Sequence, residues 1–229
     1  MYLTRFRMNT ARVGARRLLS SPQMLHAAVM SSFAEVPPSP DGEGPRVLWR
    51  IDRNNQAETY LFVVSPAEPD LTHIVEQAGW PQTGRWQTYA YGPFLSRLAV
   101  GDQWTFRLTA NPVHNIRRSD QEPTKVTAHV GPRHQLGWLL KHQENAGFRV
   151  VEKPVEQRVI PEDQHELTVR DRRQLAFKKG GKDKPVTLVT VTFDGRLEVT
   201  DPDALRRTLT HGLGRAKAYG CGLMTLAGA

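Results

Sequence analysis

The order in which apolar residues change period along this chain constrains its fold more than any single motif does. Tyr2, Thr4, Phe6 and Met8 alternate with Leu3, Arg5 and Arg7, the period-two pattern of a first strand. Ser21-Pro22 then offers an N-cap hydroxyl and a first-turn proline, and Met24, Leu25, Ala28, Val29 and Phe33 supply an apolar stripe, which predicts a helix over 21–34. Two β-rich runs, at 47–51 and 59–64, flank the polar turn Asp52-Arg-Asn-Asn55 and read as a hairpin. A helix at 70–78, a strand at 86–90 and the run 103–109 follow. Strand, helix, strand, strand, helix, strand is the order of a ferredoxin-like domain.

The second half repeats the theme. A helix is expected at 132–145 with Leu136, Leu139 and Leu140 on its apolar side, then a strand at 148–151. Shorter strands are expected at 167–169 and 175–177, and a longer one at 187–193 that turns through Asp194-Gly195 into 196–199. Asp201-Pro202 is a helix start, and that helix reaches His211 before a glycine-rich loop and a last apolar run, 223–227. The polar, proline-containing stretch 117–133 is the expected boundary, giving domains at 1–120 and 126–229. The fold class is therefore α+β, two tandem ferredoxin-like, RRM-like domains with a basic cleft between them.

Charge suggests what such a cleft would hold. Lys plus Arg number 31 against 23 Asp plus Glu, a net charge of +8, and a field of that sign favours a polyanion. Cys221 is the single cysteine, so no intramolecular disulfide forms, which fits a reducing cytoplasm. No stretch approaches the roughly 18 apolar residues of a membrane span, so no membrane partner is expected.

Phosphate-binding candidates cluster in three places. Gly212, Gly214, Gly220 and Gly222 interleave with Arg215 and Lys217 directly after His211, where backbone N–H groups can approach an anion without a Cβ in the way. The spacing is neither a Rossmann turn nor a P-loop, and a simple αβ connection remains an alternative reading. Arg16 and Arg17 precede the first helix. Arg170, Arg172, Arg173, Lys178, Lys179, Lys182 and Lys184 surround Gly180-Gly181 in a basic hairpin suited to lie along a duplex. His114 and His211 are further candidates for contact, while the remaining histidines read as scattered surface residues. His26, on the edge of the first helix's stripe, is the candidate for proton transfer, because its ordinary pKa lies near neutrality. No histidine and carboxylate spacing suggests a metal site, and no cofactor motif is present.

Five segments together resemble the CasE family of CRISPR repeat-processing endoribonucleases. They are Met1-Tyr-Leu-Thr-Arg-Phe6, the helix bearing His26, Thr105-Phe-Arg-Leu-Thr-Ala-Asn-Pro112, Phe193-Asp-Gly-Arg-Leu-Glu-Val199 and Gly212-Leu-Gly-Arg-Ala-Lys-Ala-Tyr-Gly-Cys-Gly-Leu223. The resemblance spans the chain. It implies cleavage of the CRISPR precursor at the base of a repeat stem-loop, without metal or cofactor, and retention of the product with other subunits of a type I-E interference complex. It also implies that His26 is the proton-transfer residue and that the 2′-oxygen attacks in line, leaving a 2′,3′-cyclic phosphate (or its opened 3′-phosphate) and a 5′-hydroxyl. The family pattern has a tyrosine three residues before the histidine and a lysine five after it. Gln23 and Ser31 stand there instead, so neither accessory role carries over, and a non-catalytic RNA-binding subunit is the alternative.

Overall fold

The computed structural model describes residues 1–35, 46–54, 56, 58–81, 85–116, 125–160, 163–177 and 185–228. The expected contacts Lys178, Lys179 and Lys182, with Lys184 and Gly180-Gly181, lie outside the described residues.

The first sheet is built from β1 (Tyr2–Met8), β2 (Leu48–Arg53), β3 (Thr59–Ser65) and β4 (Gln87–Ala90) in the antiparallel order β2-β3-β1-β4. Two helices connect β1 to β2. Besides the expected α2 (Pro22–Met30), there is an α1 (Val13–Ser20) that the sequence pattern did not predict, because only Ala15 and Leu18 of its short stripe are buried. Ser21 caps α2 as expected, its hydroxyl accepting from the Met24 N–H at 3.3 Å. The helix α3 (Thr72–Ala78) closes the unit, which has the ferredoxin-like strand order.

Strand alternation decides how this sheet faces its neighbours. Trp49, Leu61, Val63, Phe6 and Met8 pack with Leu18, Leu25 and Val29 beneath the helices. Leu48 and Val64 point the other way, into a second core shared with Phe106, Leu108, Trp138 and Phe193. A short α4 (Gly92–Ser96) leads across to the second sheet.

That sheet contains β5 (Gln103–Ala110), β8 (Phe148–Val150), β9 (Leu167–Phe177), β10 (Val186–Val199) and β11 (Met224–Gly228), in the order β11-β5-β10-β8 with β9 also on β10. With α5 (Pro132–Gln143) and α6 (Pro202–His211) between strands, the ferredoxin-like order recurs. The run 103–109, expected in the first half, is β5, and it pairs with β10 and β11 of the second sheet. Periodicity identifies a strand but not its hydrogen-bonding partner. Within the expected boundary region lies β7 (Lys125–Ala128), which pairs antiparallel with β6 (Val113–Ile116) in a two-stranded sheet of its own.

Three local expectations change. The two short strands expected at 167–169 and 175–177 are one strand, β9. Asp194-Gly195 is not a turn, because β10 runs straight through it: a Cβ on Gly195 would lie 2.3 Å from the Glu166 carbonyl oxygen, so glycine is there for close approach. On α5 the buried face is Gln135, Trp138 and Leu139, whereas Leu136 and Leu140 are only partly covered. Asp201 does cap α6, accepting from the N–H groups of Asp203 and Ala204 at 2.9 and 3.0 Å.

One buried cation joins the two sheets. Arg50, 1 % exposed on β2, donates twice to Asp52 at 2.7 and 2.9 Å and reaches the carbonyls of Arg107 and Leu223 and the hydroxyl of Thr225. Its guanidinium also lies 5.5 Å from the centre of the Phe62 ring.

Candidate functional site

Residues Trp49, Ile51 and Arg53 share one face of β2, as alternation requires, and with the start of α2 they form one wall of a cleft. The opposite wall is Arg107 of β5 and Arg170, Asp171 and Arg173 of β9, and Tyr219 and Gly220 close one side. The sequence pattern identified Arg170 and Arg173. It missed Arg53, which reads as part of a hairpin turn, and Arg107, which reads as an ordinary strand residue; only the sheet pairing brings all four together.

A β-bulge aims the β9 cations. The β9–β10 register shifts between Thr190 and Thr192, and Asp171 in the bulge has φ 52°, a left-handed conformation that aspartate tolerates better than most residues. Arg170 is thereby held by Asp194 at 2.5 Å and by Asp171, while Arg107 grips the same Asp194 at 2.6 Å. Burial would raise the Asp194 pKa, but the hydrogen bonds from Arg107 and Arg170 outweigh it and hold the carboxyl below its ordinary range. Arg53 is different. Its pKa is lowered, first by desolvation and then by the charge of Arg173, with Asp171 only partly opposing. Two facing guanidiniums that repel one another gain when an anion enters between them.

The glycine loop forms a seam beside this cleft. Gly212, Gly214, Gly220 and Gly222 all have positive φ, and a Cβ on Gly220 would lie 2.7 Å from the Trp49 ring. Gly212 stands similarly close to Leu48, and Gly214 to Trp138. The glycines therefore let the loop seat against β2 and α5, which leaves Arg215 exposed and Lys217 half-buried as its cationic groups. Burial, then the charge of Arg46, lowers the Lys217 pKa. A 3-10 turn, Lys217–Tyr219, packs against α2.

His26 lies on α2, half-buried, one residue beyond Leu25, which lines the cleft. Gln23, one turn earlier, has a buried side-chain oxygen without a hydrogen-bond partner among the described residues. Other candidates are dispersed. Arg16 and Arg17 are exposed on α1, with Arg16 bonded to the Thr10 and Ala11 carbonyls. Arg172 is exposed on β9, and neither it nor the α1 arginines lines the cleft. His211 ends α6, its Nδ1 2.9 Å from the Thr210 hydroxyl and 3.1 Å from the Arg207 carbonyl. Among the described residues no group of three His, Cys, Asp or Glu is arranged to hold a metal, and no helix is long and apolar enough to cross a membrane.

Paired ferredoxin-like units around a cationic cleft, with a histidine-bearing helix on its wall, define a class of protein built to face a nucleic-acid backbone. The chain belongs to the CRISPR-associated protein family, whose profile matches residues 1–228. It is 30 % identical over 228 residues to the CRISPR-associated endoribonuclease Cse3 of Thermus thermophilus, covering 99 % of this chain and 100 % of the relative. The CRISPR system Cascade subunit CasE of Escherichia coli is 30 % identical over 192 residues, covering 79 % and 88 %. Among solved structures, Thermus thermophilus Cse3 bound to an RNA representing a pre-cleavage complex superposes with a TM-score of 0.76 at 27 % identity, covering 99 % of this chain and 98 % of that one.

Proposed function

We propose that this chain is a metal-independent endoribonuclease that cleaves CRISPR precursor RNA at the base of its repeat stem-loop. It keeps the product as the guide for a Cascade-type complex, acting in the cytoplasm. The observation that carries this reading is the arginine-lined cleft whose wall includes the start of the helix bearing His26. Kinship along the whole chain with a Cse3 endoribonuclease, and over most of it with a Cascade subunit, supports it.

The chemistry assigned to these residues is a transesterification. The 2′-hydroxyl gives its proton to the His26 imidazole as its oxygen attacks the adjacent phosphorus. The bond from phosphorus to O5′ breaks, O5′ takes up a proton, and the products carry a 2′,3′-cyclic phosphate and a 5′-hydroxyl. Phosphorus passes through a state with added negative charge, which Arg53, Arg173 and Lys217 are assigned to offset. Lys217 suits this role because its turn packs against α2 and desolvation strengthens its field. The same cations, with Arg16, Arg17, Arg170, Arg172, His211 and Arg215, are assigned to hold the stem after cleavage.

The test is to incubate purified protein with a CRISPR repeat stem-loop RNA in EDTA and identify the new termini. A single cut leaving a cyclic phosphate and a 5′-hydroxyl is expected. A 5′-phosphate, or a strict requirement for a divalent ion, overturns the assigned chemistry, and stable binding without any cut favours the non-catalytic subunit.

A further inference from the structure

The glycine loop borders two grooves. Tyr219 and Gly220 face the arginine-lined cleft, whereas Gly214 and Arg215 face a second groove of about 800 Å³. Four histidines line that second groove: His114 on β6, His129 in the connection from β7 to α5, and His134 and His142 on α5. Arg133 and Lys141 of α5 join Arg215 as its permanent charges. Among the described residues no carboxylate lines it.

The histidines are arranged rather than scattered. The His114 and His129 rings stack with centres 4.3 Å apart, and His134 lies parallel to His129 at 6.0 Å. Gln135, itself buried, donates to the His129 carbonyl at 2.8 Å and the Val130 carbonyl at 3.2 Å, which fixes the connection that carries His129. Two buried polar atoms here have no hydrogen-bond partner among the described residues, Nδ1 of His114 and Oδ1 of Asn111, the latter on a residue only 9 % exposed. The first turn of α5 also opens onto the groove, and its N-cap, Gly131, has no side chain to satisfy the free N–H groups.

Like charges on stacked rings oppose one another, and an anion between them offsets that repulsion. Burial already lowers the pKa of His129, and the charges of His114 and His134 lower it further. Anion binding would reverse the second effect, so by linkage the anion binds more tightly as pH falls through the histidine range.

We propose that this groove is a second RNA-phosphate subsite, which takes the strand running from the arginine-lined cleft across the glycine loop and holds it more tightly as pH falls. The proposal rests on the endoribonuclease reading for the identity of the anion. That one loop borders both grooves, with its exposed Arg215 lining the second, favours a single RNA strand as the occupant.

The test uses the full chain with two RNAs: a fluorescein-labelled single-stranded oligouridine of about eight nucleotides, a length spanning several phosphates, and a repeat hairpin whose only extension is one nucleotide 3′ of its base, which supplies the scissile phosphate and the leaving 5′-hydroxyl. Affinities are measured at about pH 6 and pH 8, on either side of the ordinary histidine pKa. Wild-type affinity for the oligouridine should rise about tenfold or more on acidification, equivalent to one unit of linked pKa shift. An Arg133→Gln/His134→Gln variant, altered at two exposed positions, should lose most of that gain and still bind and cleave the hairpin as wild type does. Inorganic phosphate should raise the NMR titration midpoint of the His129 imidazole. Oligouridine binding indifferent to pH, an undiminished gain in the variant, a parallel loss of hairpin binding, or an unmoved His129 midpoint overturns the proposal. A chain that cuts hairpins yet fails these tests loses the groove alone; one that passes the phosphate titration but never cuts loses the endoribonuclease reading.

Discussion

Ala216 adopts φ 61° in a loop whose other left-handed positions, Gly212, Gly214, Gly220 and Gly222, are all glycine. Its Cβ crowds the backbone there, so Ala216→Gly should raise stability by about 0.5 to 1 kcal/mol, the strain relieved being partly offset by the freer unfolded chain. Gly220→Ala should do the opposite. The new methyl would have to displace the Trp49 ring, at a cost of roughly 1 to 3 kcal/mol. Urea titrations of both variants check the two signs together. Cys221, fully buried in the next position, has its pKa pushed up to about 12 by desolvation and should resist alkylation by iodoacetamide until the protein unfolds. The positions of these glycines were legible as a demand for unusual backbone. What stands opposite them was not, because Leu48, Trp49 and Trp138 come from distant parts of the chain.

At the scale of elements, the strands place charge where composition could only count it. Arg50 holds β2 against β5 and β11. Arg50→Met should therefore destabilise the protein by about 3 kcal/mol, since among the described residues it leaves buried Asp52 only the more distant Arg107, at 3.6 Å, as ion-pair partner. Chemical unfolding measures this. Asp194, gripped by Arg107 and Arg170, has a folded pKa below its unfolded one, so its contribution is full above the unfolded carboxylate range and is lost as pH falls through the folded pKa. Asp194→Asn should flatten the acid limb of the stability profile. The sequence showed a basic β9 and a helix starting at Ser21. It misread Asp194-Gly195 as a turn, since the same dipeptide serves a hairpin or a close approach, and only Glu166 lying across Gly195 decides between them. The α5 stripe failed for a related reason: Gln135 is buried because carbonyls of the preceding connection accept its amide, and a hydrophobicity pattern carries no trace of that.

For the whole molecule, the recurrence of strand and helix order was readable in the sequence and survives as two sheets, each with the ferredoxin-like order. Which sheet β5 joins was not readable, so the expected basic cleft lacked two of the arginines that line it. Arg53 and Arg107 become cleft residues only when β2 and β5 are brought together. If the cleft holds RNA through phosphates, Arg53→Gln and Arg173→Gln should each lower the slope of log affinity against log salt by about 0.7 to 0.9, without changing preference among hairpin loops. Arg172→Gln, outside the cleft, should change it less. The most direct measurement is single-turnover cleavage of repeat hairpin RNA by His26→Ala, made alongside its RNA affinity. Cleavage should fall by roughly 100- to 10,000-fold, the usual worth of one acid–base group, with affinity within about twofold of wild type. Unchanged cleavage by the folded variant would contradict the assignment of proton transfer to His26.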